Sequence, residues 1–351
     1  MGNSEKLSKG CHNILINCAN LSESQTLLII REKEEFGWYK KDISETIYSE
    51  AKSMGLRPEI LEVGEPENDA KNKLAEIINE YDCTIFFARV GDQDRFEKSS
   101  FKTKRVMSYV KSEKSLMSSF GCTNHFALLE LKNVINKLMM DSNYIEILCP
   151  LGTNVSGKIN KSTALESGEV GVLRFPVVVP APILANNFSG KVALSNYLTP
   201  TGSKVYEPNS LKLNKTIFAF LENGKIVSFE GDKKTVDDVE NHYTRISNIF
   251  NIEKYVAHSW HAGMHPGTSY DYDISENPDR WSNSIFGSPN YLHFHTCGNY
   301  APGEICWMLP NHTIKIDGKA IWENGNLKVH SFEETLSCID KWTDLKSLYS
   351  Y

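Results

Sequence analysis

The sequence has no excess of positive charge, no long apolar run and no closely paired cysteines. Its 351 residues include 38 Lys plus Arg and 44 Asp plus Glu, a formal net charge of −6, which argues against nucleic-acid binding because phosphate contacts need a basic surface. No apolar run approaches the roughly 18 residues of a membrane span, so we expect no membrane association. The 8 cysteines contain no CxxC pair, which excludes a zinc ribbon and a disulfide framework and predicts thiols in a reducing cytoplasm.

Apolar runs and amphipathic segments alternate in the first 150 residues. Such alternation predicts a parallel sheet covered by helices. Neither GxGxxG nor GxxxxGK[ST] occurs in this half, so the pattern predicts a fold class and no nucleotide site. The predicted strands are 26–31, 57–63, 83–88 and 115–120, and the predicted helices are 40–55, 69–81, 101–111 and 125–140.

The sequence pattern changes from Tyr144 onward, where short strand-like runs are separated by Gly, Pro and Asn. Asn223-Gly224 and Asp317-Gly318 each lie between two such runs and predict β-hairpins, because these pairs readily adopt positive φ. The predicted strands are 145–149, 177–179, 191–194, 216–221, 225–230, 291–294, 313–316 and 319–322, with one amphipathic helix over 232–250. We therefore predict an N-terminal parallel-sheet α/β lobe over residues 1–143 and a C-terminal, largely antiparallel α+β lobe over residues 144–351.

Six of the ten histidines fall within the 55 residues from 258 to 312, together with one Glu and one Cys of interest. They are His258, His261, His265, His293, His295 and His312, accompanied by Glu304 and Cys306. Imidazole, carboxylate and thiolate are common ligands of Zn and Fe. His293 and His295 would share one face of a strand, and His258 and His261 would share one face if their segment were helical. The block predicts a metal site or a catalytic histidine cluster, with a metal-free binding pocket or structural histidines as the alternatives.

A series of ordered landmarks follows the N-terminal half: ILCPLGTN at 147–154, FPVVVPAP at 175–182, NFSG at 187–190, LENGKIV at 221–227, HSWHAGMHP at 258–266 and IDG at 316–318. This series resembles the aminopeptidase T-type metallopeptidases and their relative, 2,5-dihydroxypyridine 5,6-dioxygenase, over roughly residues 24–325. The resemblance implies an aminopeptidase T-like fold, a metal site and a homodimer.

The resemblance also implies metal ligands, although several positions depart from the family pattern. His258 matches the family's His before the Gly-rich loop, whereas the family's His-x-Asp pair falls on Glu304 and Cys306. His293 and His295 can supply the missing imidazole. The Pro-rich edge lacks the carboxylate of the dinuclear peptidases, so the chain is closer to the mononuclear dioxygenase branch with an altered metal site.

Three functions follow as hypotheses. The first is a mononuclear-metal oxygenase for a small chelating substrate, with His258, His293, His295, Glu304 and Cys306 as candidate metal ligands and His261 and His265 as candidate proton-transfer residues. We expect a divalent transition metal, Fe(II) first, with Zn(II) or Mn(II) as alternatives. The second is a metal-dependent, aminopeptidase-like hydrolase. The third is a non-catalytic protein that binds a peptide or small molecule on the same scaffold.

Overall fold

The computed structural model describes residues 2–68, 70–93, 95, 103–159 and 171–350, and the chain divides into two compact units. The first comprises Met1–Glu130, Val170–Val178 and Asp340–Tyr351, and the second Leu131–Glu169 and Val179–Ile339. Both units are discontinuous in sequence, whereas the predicted division between residues 143 and 144 is a single cut. The histidine-rich block lies wholly in the second unit.

Helices and strands alternate along the first part of the chain, and strands dominate the later part. The helices are α1 (Asn3–His12), α2 (Lys41–Ser53), α3 (Ala70–Ile78), α4 (Val90–Gln93), α5 (Glu113–Leu116), α6 (Ser119–Cys122), α7 (His125–Asp141), α8 (Lys233–Phe250), α9 (Pro278–Ile285), α10 (Glu333–Lys341) and α11 (Thr343–Leu348). The strands are β1 (Thr26–Glu32), β2 (Arg57–Val63), β3 (Cys83–Phe87), β4 (Lys104–Ser108), β5 (Tyr144–Leu148), β6 (Asn154–Lys158), β7 (Leu173–Phe175), β8 (Ile183–Leu184), β9 (Phe188–Leu194), β10 (Tyr197–Pro200), β11 (Leu211–Lys212), β12 (Ile217–Glu222), β13 (Lys225–Glu230), β14 (Ala257–Ala262), β15 (Tyr291–Thr296), β16 (Ile305–Pro310), β17 (Thr313–Ile316), β18 (Lys319–Glu323) and β19 (Asn326–Leu327). A π-helix at Asn13–Cys18 continues α1, and a short 3-10 helix at Glu34–Phe36 follows β1.

A parallel sheet in the order β2-β1-β3-β4-β7 forms the centre of the first unit. Strand β3 is buried along its whole length, as strands are when both faces of a parallel sheet are covered. Helix α2 buries Ile43, Ile47 and Ala51, which recur at helical spacing on one face. The predicted α/β architecture of the N-terminal half is confirmed.

Two short apolar runs in or beside this sheet differ from their predicted structure. The predicted helix 101–111 is wrong where it is described, because Lys104–Ser108 is strand β4 and pairs in parallel with β3 and β7. Residues 101 and 102, like residue 69 at the start of the predicted helix 69–81, lie outside the described residues. The predicted strand 177–179 is buried irregular chain. Short apolar runs fit a helix and a strand almost equally well, so their neighbours in the fold decide.

The predicted strand 115–120 is also wrong, and serine side chains explain why. The Ser112 hydroxyl accepts a hydrogen bond from the backbone N–H of Ser115 and caps helix α5. The Ser118 hydroxyl accepts one from the backbone N–H of Phe120 and caps helix α6. Such N-caps satisfy N–H groups that the first helical turn leaves open, so two short helices replace the expected strand.

Antiparallel pairing dominates the second unit, as predicted. One sheet has the order β13-β12-β9-β6-β5-β17-β18-β19, and the other has the order β11-β10-β16-β15-β14-β8. Both predicted hairpins are present: Asn223-Gly224 joins β12 to β13 at φ 48° and 75°, and Asp317-Gly318 joins β17 to β18 at φ 46° and 87°. These left-handed conformations are the reason for Asn-Gly and Asp-Gly at the two turns.

The β16–β15–β14 part of the second sheet carries a continuous aromatic row on one face. Trp260 pairs with Phe294, and Phe294 pairs with Trp307, each directly opposite in the antiparallel register. All three are at most 1% exposed. Because side chains alternate between the faces of a strand, their sequence neighbours lie on the other face, and those neighbours include histidines.

The eight cysteines are all free thiols, six of them buried. Among the residues that the structure describes, no helix is long and apolar enough to cross a bilayer.

Candidate functional site

Three histidines share the face of the second sheet opposite the aromatic row. His261 on β14 pairs directly with His293 on β15, and His295 follows two residues later on the same strand. Antiparallel partners lie on one face and are roughly 5 Å apart at Cβ. The strand register therefore brings His261, His293 and His295 together, which we call the imidazole cluster.

The imidazole cluster is closely packed. The Nε2 atoms of His261 and His295 are 3.0 Å apart. The ring centroids of His261 and His295 are 5.0 Å apart, and those of His261 and His293 are 5.1 Å apart. The three residues are 6%, 2% and 7% exposed in sequence order. Three ring systems thus meet in a site that water reaches poorly.

Burial fixes the protonation state of His293. Burial, with a smaller contribution from the nearby His312, lowers the pKa of the His293 ring to about 3. The ring is therefore neutral at pH 7, and a neutral imidazole is the form that binds metal. Its Nε2 atom is buried and has no hydrogen-bond partner within the described part of the chain.

Helix α9 and the residue after it cover the imidazole cluster. The Phe286 ring lies edge-on to His261, with centroids 6.5 Å apart, and 6.1 Å from His293. Trp281 packs on Cys306 and Met308, which pair with His295 and His293 on the same sheet face. The cluster is therefore enclosed by apolar and aromatic side chains.

His258 occupies a β-bulge next to the cluster. The register between β14 and β15 shifts between Ala257 and Ser259, so His258 is the extra residue. Its Nδ1 atom is 3.1 Å from the Ser259 hydroxyl oxygen, and burial lowers its pKa. Because the segment is a strand, the helical face that would have joined His258 to His261 does not form.

Hydroxyl groups from two loops bind the Glu304 carboxylate. The Ser203 hydroxyl donates to Glu304 Oε1 at 2.6 Å, and the Tyr300 hydroxyl donates to the same oxygen. The Tyr206 hydroxyl donates to the Glu304 backbone carbonyl at 2.7 Å. Glu304 is fully buried. Ser203, Tyr206 and Tyr300 come from segments with no local motif, so their contacts with Glu304 could not be predicted from the sequence.

His265 and Cys306 are held by nearby contacts. Nδ1 of the fully buried His265 accepts the Gly267 N–H at 3.1 Å, and its backbone N–H donates to the Gly287 carbonyl at 2.8 Å. Burial lowers the pKa of His265 to about 3. Cys306 lies opposite His295 in the register, and its side chain packs against Trp281.

The side chains of the imidazole cluster are chemically suited to bind a metal, but their positions do not form a complete metal site. Over residues 2–68, 70–93, 95, 103–159 and 171–350, no three His, Cys, Asp or Glu side chains are arranged to hold a metal ion. Two imidazoles of the cluster are within chelating distance of each other, and the third would have to move its ring towards them. The five predicted ligands do not converge as one group.

The chain has the fold of two solved structures, a dioxygenase and AmpT. The structure of 2,5-dihydroxypyridine dioxygenase from Pseudomonas putida KT2440 matches with a TM-score of 0.62 and 11% identity, covering 95% of this chain and 99% of that one. Wild-type AmpT from Thermus thermophilus matches with a TM-score of 0.55 and 11% identity, covering 93% and 100%. No protein-family model and no curated protein matches the sequence. At 11% identity these likenesses establish the fold alone.

Proposed function

We propose that the protein is a metal-dependent enzyme whose metal is held by His261, His293 and His295. The observation that carries this proposal is the 3.0 Å separation of the His261 and His295 Nε2 atoms. Metal–imidazole bonds of 2.0–2.1 Å place two ligand nitrogens roughly 2.9–3.4 Å apart at octahedral or tetrahedral angles. A hydrogen bond between neutral rings has a similar length, so the third histidine is needed to separate the two interpretations.

His293 favours a metal over a simple hydrogen-bonded pair. Its buried Nε2 atom makes no hydrogen bond among the described residues, and an unsatisfied buried polar atom costs about 1–3 kcal/mol. A metal bound beside the His261–His295 pair would remove that cost if the His293 ring turned towards it. His261 thereby changes from the predicted proton-transfer residue to a ligand, and proton transfer by His265 stays a prediction.

The reaction we propose first is oxidation of a small chelating substrate by a mononuclear-metal oxygenase. A metal with three protein ligands supplies open positions for a chelating substrate and O₂. The chain itself contributes exclusion of water, because the imidazole cluster is at most 7% exposed and lies beneath Phe286. The fold shared with the P. putida dioxygenase supports this choice.

A metal-dependent hydrolase is the second candidate, and one observation favours it. All three proposed ligands are imidazoles, and three histidines with one open position form a known catalytic zinc site that activates water. The fold shared with AmpT is consistent with this reaction. Fe(II) belongs with the first reaction and Zn(II) with the second, so the identity of the metal separates them.

Metal analysis tests the proposal directly. Protein purified without chelators should carry about one transition-metal ion per chain, and His293→Ala and His295→Ala should lose most of it. His330→Ala, at an exposed position outside the cluster, is the matched control and should keep its metal. Wild-type protein that takes up no metal, even anaerobically, would refute the proposal and favour a metal-free binding protein.

Activity assays then choose between the two reactions. Chelator-sensitive O₂ consumption with chelating substrates would support the oxygenase. Chelator-sensitive release of products from amino-acid amides, without O₂ consumption, would support the hydrolase.

A further inference from the structure

A substrate cannot reach the imidazole cluster in this conformation. His261, His293 and His295 are 6%, 2% and 7% exposed. The side chains that cover the cluster come from one short stretch of chain, residues 278–286. Phe286 contacts two of the imidazole rings, and Trp281 covers the adjoining strand. Access therefore depends on whether residues 278–286 can move.

The chain just beyond this stretch is fixed. Gly263 on the neighbouring strand end lies so close to it that an added Cβ would be 2.1 Å from the Ser288 carbonyl oxygen. The Gly263 N–H donates to the Tyr291 carbonyl at 3.0 Å, and the His265 N–H donates to the Gly287 carbonyl at 2.8 Å. Backbone contacts of this kind hold residues 287–291 against the sheet and leave a joint at Gly287.

Helix α9 itself is held by side chains. The Thr199 hydroxyl on β10 donates to the Ser282 hydroxyl at 3.0 Å. The Asn209 amide donates to Asp279 Oδ2 at 3.3 Å. Trp281 adds an apolar contact, and its ring is edge-on to Tyr291 at 5.6 Å.

The chain before α9 is irregular and contacts α9 through side chains: Arg280 Nε donates to the Tyr270 hydroxyl at 3.2 Å, and Tyr270 and Ile274 pack against the Trp281 cluster. Residues 263–277 form neither a strand nor a helix, and Tyr272 within them is 50% exposed. Irregular segments of this length in a compact fold are commonly lids or binding loops. A short helix held to a sheet by side-chain contacts opens at lower free energy than the core strands of that sheet.

From this arrangement we infer that α9 with Phe286 is a lid over the imidazole cluster, hinged at Gly287 and latched by the Thr199–Ser282 hydrogen bond. Opening lifts Phe286 from the imidazoles and Trp281 from the adjoining strand, and closing excludes water from the site. The inference concerns access and does not require that a metal be bound.

Native-state hydrogen exchange read by mass spectrometry tests the lid. Amides of 278–286 should exchange faster than those of β15, which lies in the middle of the sheet. Thr199→Val keeps the side-chain shape and removes the latch hydroxyl, so it should raise exchange of 278–286 about two- to tenfold, the usual effect of losing one hydrogen bond. Thr84→Val is the matched control, because the buried Thr84 hydroxyl has no hydrogen-bond partner among the described residues.

Chemical modification of the imidazoles gives a second readout. Diethyl pyrocarbonate should modify His261, His293 and His295 at a rate set by opening, and Thr199→Val should raise that rate by the same factor. Ser282→Ala removes the latch from the other side and serves if Thr199→Val folds poorly. The lid is refuted if 278–286 exchange together with β15, or if neither latch variant exceeds the Thr84→Val control. A metal-free protein that opens in this way refutes the proposed function and leaves the lid standing.

Discussion

Lowering the pH from about 7.5 to about 5 should destabilise the fold, because three histidines outside the proposed ligand set are buried in their neutral form. Burial lowers the pKa of His265 and of His312 to about 3. Burial, with a further contribution from Arg245, lowers the pKa of His242 to about 4. In the unfolded chain each ring would titrate near its ordinary value of about 6.5. As the pH falls, the unfolded state therefore binds protons before the folded state does.

The direction and size of the effect follow from these values. The stabilisation by each neutral ring is complete above about pH 6.5 and is lost as the pH falls towards the folded-state pKa. Between about pH 6.5 and 5, the contribution of each ring to the free energy of unfolding falls by about 1.36 kcal/mol per pH unit. Over about 1.5 pH units this is about 2 kcal/mol. Three rings together lose about 6 kcal/mol, which is comparable with the whole stability of a typical domain at 5–15 kcal/mol.

Urea unfolding followed by circular dichroism measures this loss at a series of pH values. His312→Gln removes one titrating ring and should reduce the pH-dependent change by about 2 kcal/mol. His330→Gln, at an exposed position, should leave the change as it is in the wild type. A free energy of unfolding that stays level between about pH 7 and 5 would contradict the buried neutral state of these histidines.

Two further substitutions test other buried charges. Glu304→Gln weakens the two hydroxyl hydrogen bonds to the carboxylate. It should therefore lower the free energy of unfolding by about 1–3 kcal/mol and leave the metal content unchanged. Loss of metal would instead support the predicted role of Glu304 as a ligand. Arg89→Ala leaves the Glu32 carboxylate, 1% exposed, without its bidentate partner. This substitution should lower the free energy of unfolding by about 3–5 kcal/mol. Lys137→Ala breaks the exposed pair with Asp141 and should change stability by less than about 1 kcal/mol in the same denaturation assay.

Much of the fold could be predicted because its signals are local. Strong apolar runs such as 83–88, the amphipathic helix at 232–250 and the two hairpin dipeptides were each sufficient to identify an element. The misassigned segments are short and depend on distant neighbours. Lys104–Ser108 forms a strand because β3 and β7 flank it. The five residues alone carry no information about these neighbours.

The candidate site was harder to predict, because it depends on register between strands. The His-x-His spacing suggested that His293 and His295 share a face, and β15 places them so. That His261 joins them follows only from the pairing of β14 with β15. The bulge at His258 and the hydroxyl groups around Glu304 arise from contacts that have no sequence motif.

The aromatic row and the imidazole cluster depend on each other because they alternate along the same strands. Burying polar imidazoles away from water is unfavourable unless they are bonded, and the strands that carry them need another source of rigidity. Trp260, Phe294 and Trp307 supply it on the opposite face: the Phe294 and Trp307 rings are 5.7 Å apart, and the Trp307 indole N–H donates to the Tyr243 hydroxyl at 2.8 Å. Aromatic pairs of this kind add about 0.5–1.5 kcal/mol beyond the burial of their area. Replacing Phe294 would therefore disturb His293 and His295 through the backbone of β15 without any direct contact between the side chains.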